Sequence, residues 1–193
     1  MSHQYRVRNS EDIFFVTFTI VDWVDIFTRP AYKQLIIDSL AYCQQHKRLE
    51  LYAYCLMTNH LHLLVSAQQP VILSDIIRDF KKHTNKKIIQ LIQTENESRR
   101  DWILYRFQYH AKYNNRIQDY KVWQDGYHGI ACDRIEILVQ KLNYIHDNPV
   151  TAGIVLEPEH YIYSSAANYA GEDGIIDVIL LDLGFYVANV NTR

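Results

Sequence analysis

Residues 49–67 constrain this chain more than any other stretch. Leu49 to Met57 alternates in strand fashion, Thr58-Asn59 makes a tight turn, and Leu61 to Ala67 returns as a second strand. An antiparallel hairpin is therefore expected. Within it lies the run Met57-Thr58-Asn59-His60-Leu61-His62-Leu63-Leu64-Val65. Side chains two apart on a strand share a face. His60 and His62 should stand together on one face, with Leu61, Leu63 and Val65 on the other. Two imidazoles beside a turn, at the head of a buried strand, make half of a metal site. An isolated His-x-His is more often a tolerated pair of strand histidines. The rest of the chain must supply another ligand and a reacting group.

The flanking segments fit a mixed fold. Ile13 to Val21 is β-branched and aromatic, with Phe14, Val16, Phe18 and Ile20 on one face and Thr17 and Thr19 on the other. Pro30 suits the first turn of a helix, and Leu35, Ile36, Leu40 and Cys43 recur at helical spacing up to His46. Ser74 can cap a helix reaching about Gln93. Residues 94–119 give no clear element, although Trp102 to Phe107 is an apolar patch. Tyr120 to Gln124 suits a short strand, followed by the turn Asp125-Gly126. Asp133-Arg134-Ile135-Glu136 has the form of a capping box, opening a helix that should stop before Pro149. The order is strand, helix, strand, strand, helix, strand, helix. It predicts an α+β, ferredoxin-like (split βαβ) antiparallel sheet with helices packed on one face. Residues 1–193 read as one domain, with a core of about 13–169 and an extension of 170–193. The apolar run Ile175 to Leu181 fits a late edge strand or a docking segment.

Charge and cysteines narrow the class. The formal net charge is −2, so no global basic field points to nucleic acid. A local one exists: Arg78, Lys81, Lys82, Lys86 and Lys87 share the polar side of one helix against Asp79. That side is either a solvated face or a phosphate-contacting surface. Cys43, Cys55 and Cys132 form no CxxC pair and no disulfide framework, and no apolar run nears the roughly 18 residues that span a bilayer. A soluble, cytoplasmic protein with no membrane partner is expected.

The helix opened near Asp133 carries two stripes. Leu138, Leu142 and Ile145 form a core side. Ile137, Lys141, Tyr144 and Asn148 form a second, bringing an ammonium, a phenol and an amide onto one flank. A tyrosine at a helix edge is most often an amphipathic packing residue, and its companions set this one apart. His146 falls on the opposite flank and is not expected to act with them.

The hairpin motif and the downstream run Tyr144-Ile145-His146-Asp147-Asn148-Pro149-Val150-Thr151-Ala152-Gly153-Ile154-Val155 together resemble the IS200-like single-tyrosine transposases. Among these, the likeness is nearest to the REP-associated tyrosine transposases, and it reaches from about Ile13 to Tyr169. It implies a His-hydrophobic-His (HUH) site in which His60 and His62 bind a divalent metal, Mg²⁺ or Mn²⁺. It makes Tyr144 the nucleophile and Asn148 the third ligand, one methylene shorter than the Gln often found there. The implied activity is cleavage and rejoining of single-stranded, hairpin-associated DNA through a 5′-phosphotyrosine. Lys141, one turn before Tyr144, would hold a phosphate or favour an ionised phenol. The basic helix would cradle the DNA, and Trp123 and His128 could stack on a base or contact the backbone, although core packing also suits Trp123. Rival readings are a non-cleaving ferredoxin-like module that grips structured DNA or RNA, and a metal-dependent hydrolase in which Tyr144 is structural. The family includes dimers that exchange the tyrosine helix as well as monomers, so a homodimer stays open.

Overall fold

A computed structural model of the chain describes residues 4–5, 13–112, 119–126 and 128–183. Its centre is a four-stranded sheet in the order β3-β4-β2-β5, from β2 (Phe14–Thr19), β3 (Leu49–Leu56), β4 (His60–Ala67) and β5 (His128–Ala131), every pair antiparallel. Between β2 and β3 runs α1 (Pro30–Lys47), and between β4 and β5 run α2 (Leu73–Thr94) and α3 (Arg100–Ala111). Each crossover thus leaves one strand between the two that it joins, which is the split βαβ plan twice over. After β5 come α4 (Ile135–Thr151) and a short α5 (Ala166–Tyr169). A two-residue β1 (Gln4–Tyr5) pairs in parallel with β6 (Leu180–Leu181).

The hairpin forms as its alternation predicts, closed by a bond from the Met57 amide to the His60 carbonyl at 2.9 Å. One β-bulge interrupts its register between Leu51 and Ala53. The bulge lets Leu51, Tyr54 and Leu56 all reach one core while Tyr52, Ala53 and Cys55 reach the other.

Both faces of the sheet are covered. Val16, Phe18, Leu61, Leu63 and Val65 pack against Ile36, Ile37 and Leu40 of α1 and Ile76, Ile77 and Phe80 of α2. Phe15, Tyr52, Cys55 and Leu64 pack against Leu138, Leu142 and Ile145 of α4. The expectation of helices on one face holds for α1 and α2 and needs correction for α4. The cause is in the strands, whose second set of alternate positions is also partly apolar and must be shielded from water.

Other boundaries move for identifiable reasons. The Ser74 cap does not form, and α2 begins at Leu73 behind Ile72 with no side-chain cap bond. The capping box at Asp133 does not form either, since α4 begins at Ile135 behind Arg134 with no side-chain cap bond. Nor does Pro149 stop the helix. It lies in the last turn, where only its own N–H is missing, and the Ala152 amide still donates to the Asn148 carbonyl at 3.0 Å. Residues 100–111, expected to be irregular, are helical with Ile103, Phe107 and Ala111 inward. The fourth strand is His128–Ala131, while Tyr120–Gln124 contributes a single bridge, Ile20 to Trp123.

The outer edge of β3 is closed by late segments. Leu56 donates to Tyr163 at 2.9 Å, Ser165 to Tyr54 at 3.0 Å and Ile179 to Leu51 at 2.8 Å. No helix of the described residues is long and apolar enough to cross a membrane.

Candidate active site

β4 places His60 and His62 on the α4 side of the sheet, with ring centroids 4.7 Å apart. The strand register sets Thr17 of β2 directly opposite His62. Its Oγ1 lies 2.8 Å from His62 Nδ1. The turn residue Asn59 does the same for the other ring, its Oδ1 accepting from His60 Nδ1 at 2.6 Å. Each imidazole is therefore oriented through Nδ1, which aims the opposite nitrogen away from its holder.

His62 is 4% exposed, and its Nε2 is buried with no hydrogen-bond partner. Burial pushes this imidazole down to about 3, helped by the neighbouring His60 and Lys141. His60 is lowered too, by burial, against a hydrogen bond to Asn148 that opposes the shift. Both rings are thus held neutral near pH 7, the protonation state that leaves a nitrogen lone pair for a metal.

The second stripe of α4 faces this pair. Tyr144 sets its ring edge-on to His62 at 5.2 Å and to Phe15 at 5.8 Å, yet stays 48% exposed. Lys141 Nζ sits 4.8 Å from the Phe15 ring centre and 5.8 Å from that of Tyr144. Asn148, one turn beyond Tyr144, bonds the His60 ring. Leu138, Leu142 and Ile145 are buried beneath, which fixes the rotation of the helix and so presents the polar stripe to the imidazoles. Two histidines, an amide, a phenol and an ammonium, 88 residues apart in sequence from His60 to Asn148, meet over one strand.

The remaining candidates lie elsewhere. The helix α2 packs on the other face of the sheet from the histidines. Along it Lys82, Lys86 and Lys87 are exposed, while Arg78 pairs with Asp75 at 2.6 Å and Asp79 at 3.3 Å. Lys81 is turned inward, donating to the carbonyls of Gln124 at 2.8 Å and Gly126 at 2.6 Å, and burial lowers it to about 8. Trp123 is a core residue, 4% exposed among Phe18, Phe27 and Phe80, with Nε1 donating to Thr84 Oγ1 at 2.9 Å. It offers no open face to a base. His128 opens β5, and its side chain lies outside the described residues. His146 is buried against Ser165 Oγ at 2.8 Å, apart from the site, and burial lowers it to about 4.

Thr17 and Asn59 are the contributors that spacing alone does not reveal. Thr17 stands on the predicted polar face of its strand, but its partner follows only from the β2–β4 register. Asn59 is marked only as a turn residue.

A family model described as "Transposase IS200 like" matches residues 18–113, which carry β3, the His60–His62 hairpin and the helices to α3. Among solved structures, the fold is similar to that of a REP-associated tyrosine transposase bound to a REP hairpin, with 16% identity, a TM-score of 0.61, and coverage of 95% of this chain and 97% of that one. A putative transposase from Deinococcus radiodurans is also similar, with 15% identity, a TM-score of 0.44, and coverage of 70% of this chain and 88% of that one. No curated protein matches the sequence. Over residues 18–113, just under half of the chain and including the His60–His62 hairpin, the sequence is similar to the IS200-like transposases, and the strand order is that of a split βαβ sheet.

Proposed function

We propose that this chain cleaves and rejoins single-stranded, hairpin-associated DNA, with Tyr144 as nucleophile and a divalent metal held by His60, His62 and Asn148. The observation that carries this reading is the orphaned Nε2 of His62, buried without a partner between His60 and Tyr144. An unpaired buried nitrogen is costly unless something binds it. The donor set suits a metal: two neutral imidazoles oriented through Nδ1, with an amide oxygen nearby. Among the described residues no group of three or more His, Cys, Asp or Glu converges, and no thiolate set completes a closed zinc site. Mg²⁺ or Mn²⁺ fits better, keeping open positions. When bound, such a metal polarises the scissile phosphate and offsets its charge.

The chain's own groups then account for the transfer. Tyr144 Oη attacks phosphorus as its proton passes to solvent, which its exposure permits. The P–O3′ bond breaks, leaving a 5′-phosphotyrosine and a 3′-hydroxyl. Attack by a 3′-hydroxyl on that linkage restores the phosphodiester and returns the phenol. Bond energy is stored covalently, so no nucleotide is consumed. Lys141 lies beside the phenol with its charge unneutralised by any carboxylate contact described above, and it would hold a phosphate oxygen. The exposed Lys82, Lys86 and Lys87 offer backbone contacts to a longer duplex or hairpin, and Arg78 is the weaker contributor because two carboxylates already hold it. The hairpin bound by the structural neighbour supports a hairpin substrate here. The nearness of Tyr144 to His62 within one chain supports a site completed without a partner's helix. We take residues 1–193 as one such domain.

The test is a denaturant-stable protein–DNA adduct on single-stranded hairpin oligonucleotides with Mg²⁺ or Mn²⁺. Wild type should form it and Tyr144→Phe should not. Absence of any adduct across a broad hairpin set would favour a non-cleaving binding module. Cleavage that survives Tyr144→Phe would favour a water-using hydrolase.

A further inference from the structure

Beside His60 stands a residue that the transfer chemistry leaves unused. Trp23 is 61% exposed, the most open tryptophan among the described residues, and its ring centre is 6.3 Å from that of His60. Singly exposed aromatics are ordinary on a protein surface, so what sets this one apart is its place beside His60 and the turn that holds it there.

The turn that presents it is built at a cost. Asp22 and Trp23 have φ values of 53° and 55°, a left-handed conformation that side chains other than glycine rarely adopt twice running. Several contacts hold it. Asp22 takes an ion pair from Arg106 and a contact from His110 Nε2 of α3, each at 2.7 Å. The Val21 amide donates to the Val122 carbonyl at 2.9 Å, and the Trp23 amide to the Ile20 carbonyl at 3.0 Å. Asn59 Nδ2 donates to the Trp23 carbonyl at 3.2 Å, while Asn59 Oδ1 accepts from His60. One amide side chain therefore ties the indole-bearing turn to the orientation of a catalytic-site imidazole. A relaxed turn would let the indole fold down or swing freely. This one keeps it standing at the rim.

We infer that Trp23 is a stacking platform for an unpaired base flanking the scissile phosphate, so that it positions the DNA strand for attack. The inference rests on the strand-transfer reading for its substrate. The occupant is argued from continuity. A phosphate seated over His60 and His62 carries its nucleosides outward on either side, and the indole borders His60. Bases of any identity stack on an aromatic face, which suits a platform that positions without reading sequence. Arg106 stands behind the turn and pairs with Asp22, which offsets the carboxylate's charge toward an approaching strand.

Anisotropy of a labelled hairpin oligonucleotide with an unpaired flank tests the inference. It is run with Mn²⁺ on the full chain carrying Tyr144→Phe, which removes turnover. Abasic sites are walked along the flank. With Trp23 present, one abasic position should weaken binding on the order of ten-fold. With Trp23→Ala, affinity should fall by a similar factor and that position should cost nothing more, while Trp23→Phe should retain most of the coupling. Trp23 is exposed, so the variants should keep the circular dichroism spectrum of the parent. Equal affinity of Trp23→Ala and parent overturns the inference. So does an equal loss on every abasic oligonucleotide, or a change only in oligomeric state. Coupling without any adduct in the Tyr144-bearing chain would sink the strand-transfer reading and leave the platform standing. Adduct without coupling would do the reverse, and failure to bind any hairpin or single strand would sink both.

Discussion

Alternate residues of β2 and β4 go to opposite sides of the sheet, so each strand serves two environments. Toward α1 and α2 the strands send Val16, Phe18, Leu61, Leu63 and Val65, all buried hydrocarbon. Toward α4 they send Phe15, Thr17, His60, His62 and Leu64, a mixture in which one buried nitrogen has no partner. The first side is hydrocarbon along β2 and β4, although the phenol oxygens of Tyr32 and Tyr54 are also buried in that core without a hydrogen-bond partner. The second differs in placing an unpaired imidazole nitrogen next to an exposed phenol, and such local departures from good packing concentrate where chemistry is done. A similar contrast separates two buried imidazoles: His146 rests on Ser165, off the site, whereas His62 has Thr17 at one nitrogen and nothing at the other.

Four substitutions or titrations press on this contrast. Tyr144→Phe should have the largest effect, lowering adduct formation by at least about a thousand-fold in a gel assay. It should leave the urea midpoint close to wild type, because Tyr144 is half-exposed and only its hydroxyl is removed. Phe18→Ala, next door to Thr17 but on the hydrocarbon side, should do the opposite. It should cost about 3–5 kcal/mol in urea unfolding by opening a cavity. A smaller effect follows from pH. His146 has its pKa lowered to about 4 in the folded chain, below the ordinary value of 6.5. The unfolded chain therefore binds more protons in that window. Stability contributed by keeping His146 neutral is complete above pH 6.5 and is lost as pH falls toward 4, by roughly 3 kcal/mol. His146→Gln should flatten that part of the urea-midpoint profile, whatever its effect on the midpoint itself. The smallest effect should come from Thr17→Val. Loss of the hydroxyl that orients His62 should weaken Mn²⁺ binding, measured by calorimetry, by about 10–100-fold. An unchanged Mn²⁺ affinity would mean that His62 is not oriented for a metal.

The sequence carries much of this in readable form, for physical reasons that also mark where reading stops. A strand period of two puts His60 and His62 on one side without further information. A helical period sets Lys141, Tyr144 and Asn148 in one stripe. Which side of the sheet α4 covers is not readable, because Phe15 and Leu64 make the second side of the strands apolar as well. α3 is hidden because exposed Trp102, Tyr105 and Tyr109 outnumber the inward pattern of Ile103 and Phe107. β5 is hidden because four residues with a glycine give little alternation to see. Thr17 and Asn59 become partners only through pairing across the sheet and the hairpin. The basic helix is legible as a helix, but the inward turn of Lys81 depends on two carbonyls more than forty residues away. Trp123 looks the same in sequence whether it meets a base or, as here, Phe18 and Phe27.

The capped edge of β3 has a consequence for how the chain comes into being. During synthesis the two histidines and then Tyr144 leave the ribosome before Tyr163, Ser165 and Ile179 do. Until those last residues arrive, β3 presents bare amides and carbonyls to any neighbouring strand. The motif-bearing portion is thus complete in composition before it is safe in solution. A fragment trimmed after Val155 would keep every residue assigned to the chemistry and still be prone to aggregate. The stretch that resembles an appendage acts as the final guard on the sheet.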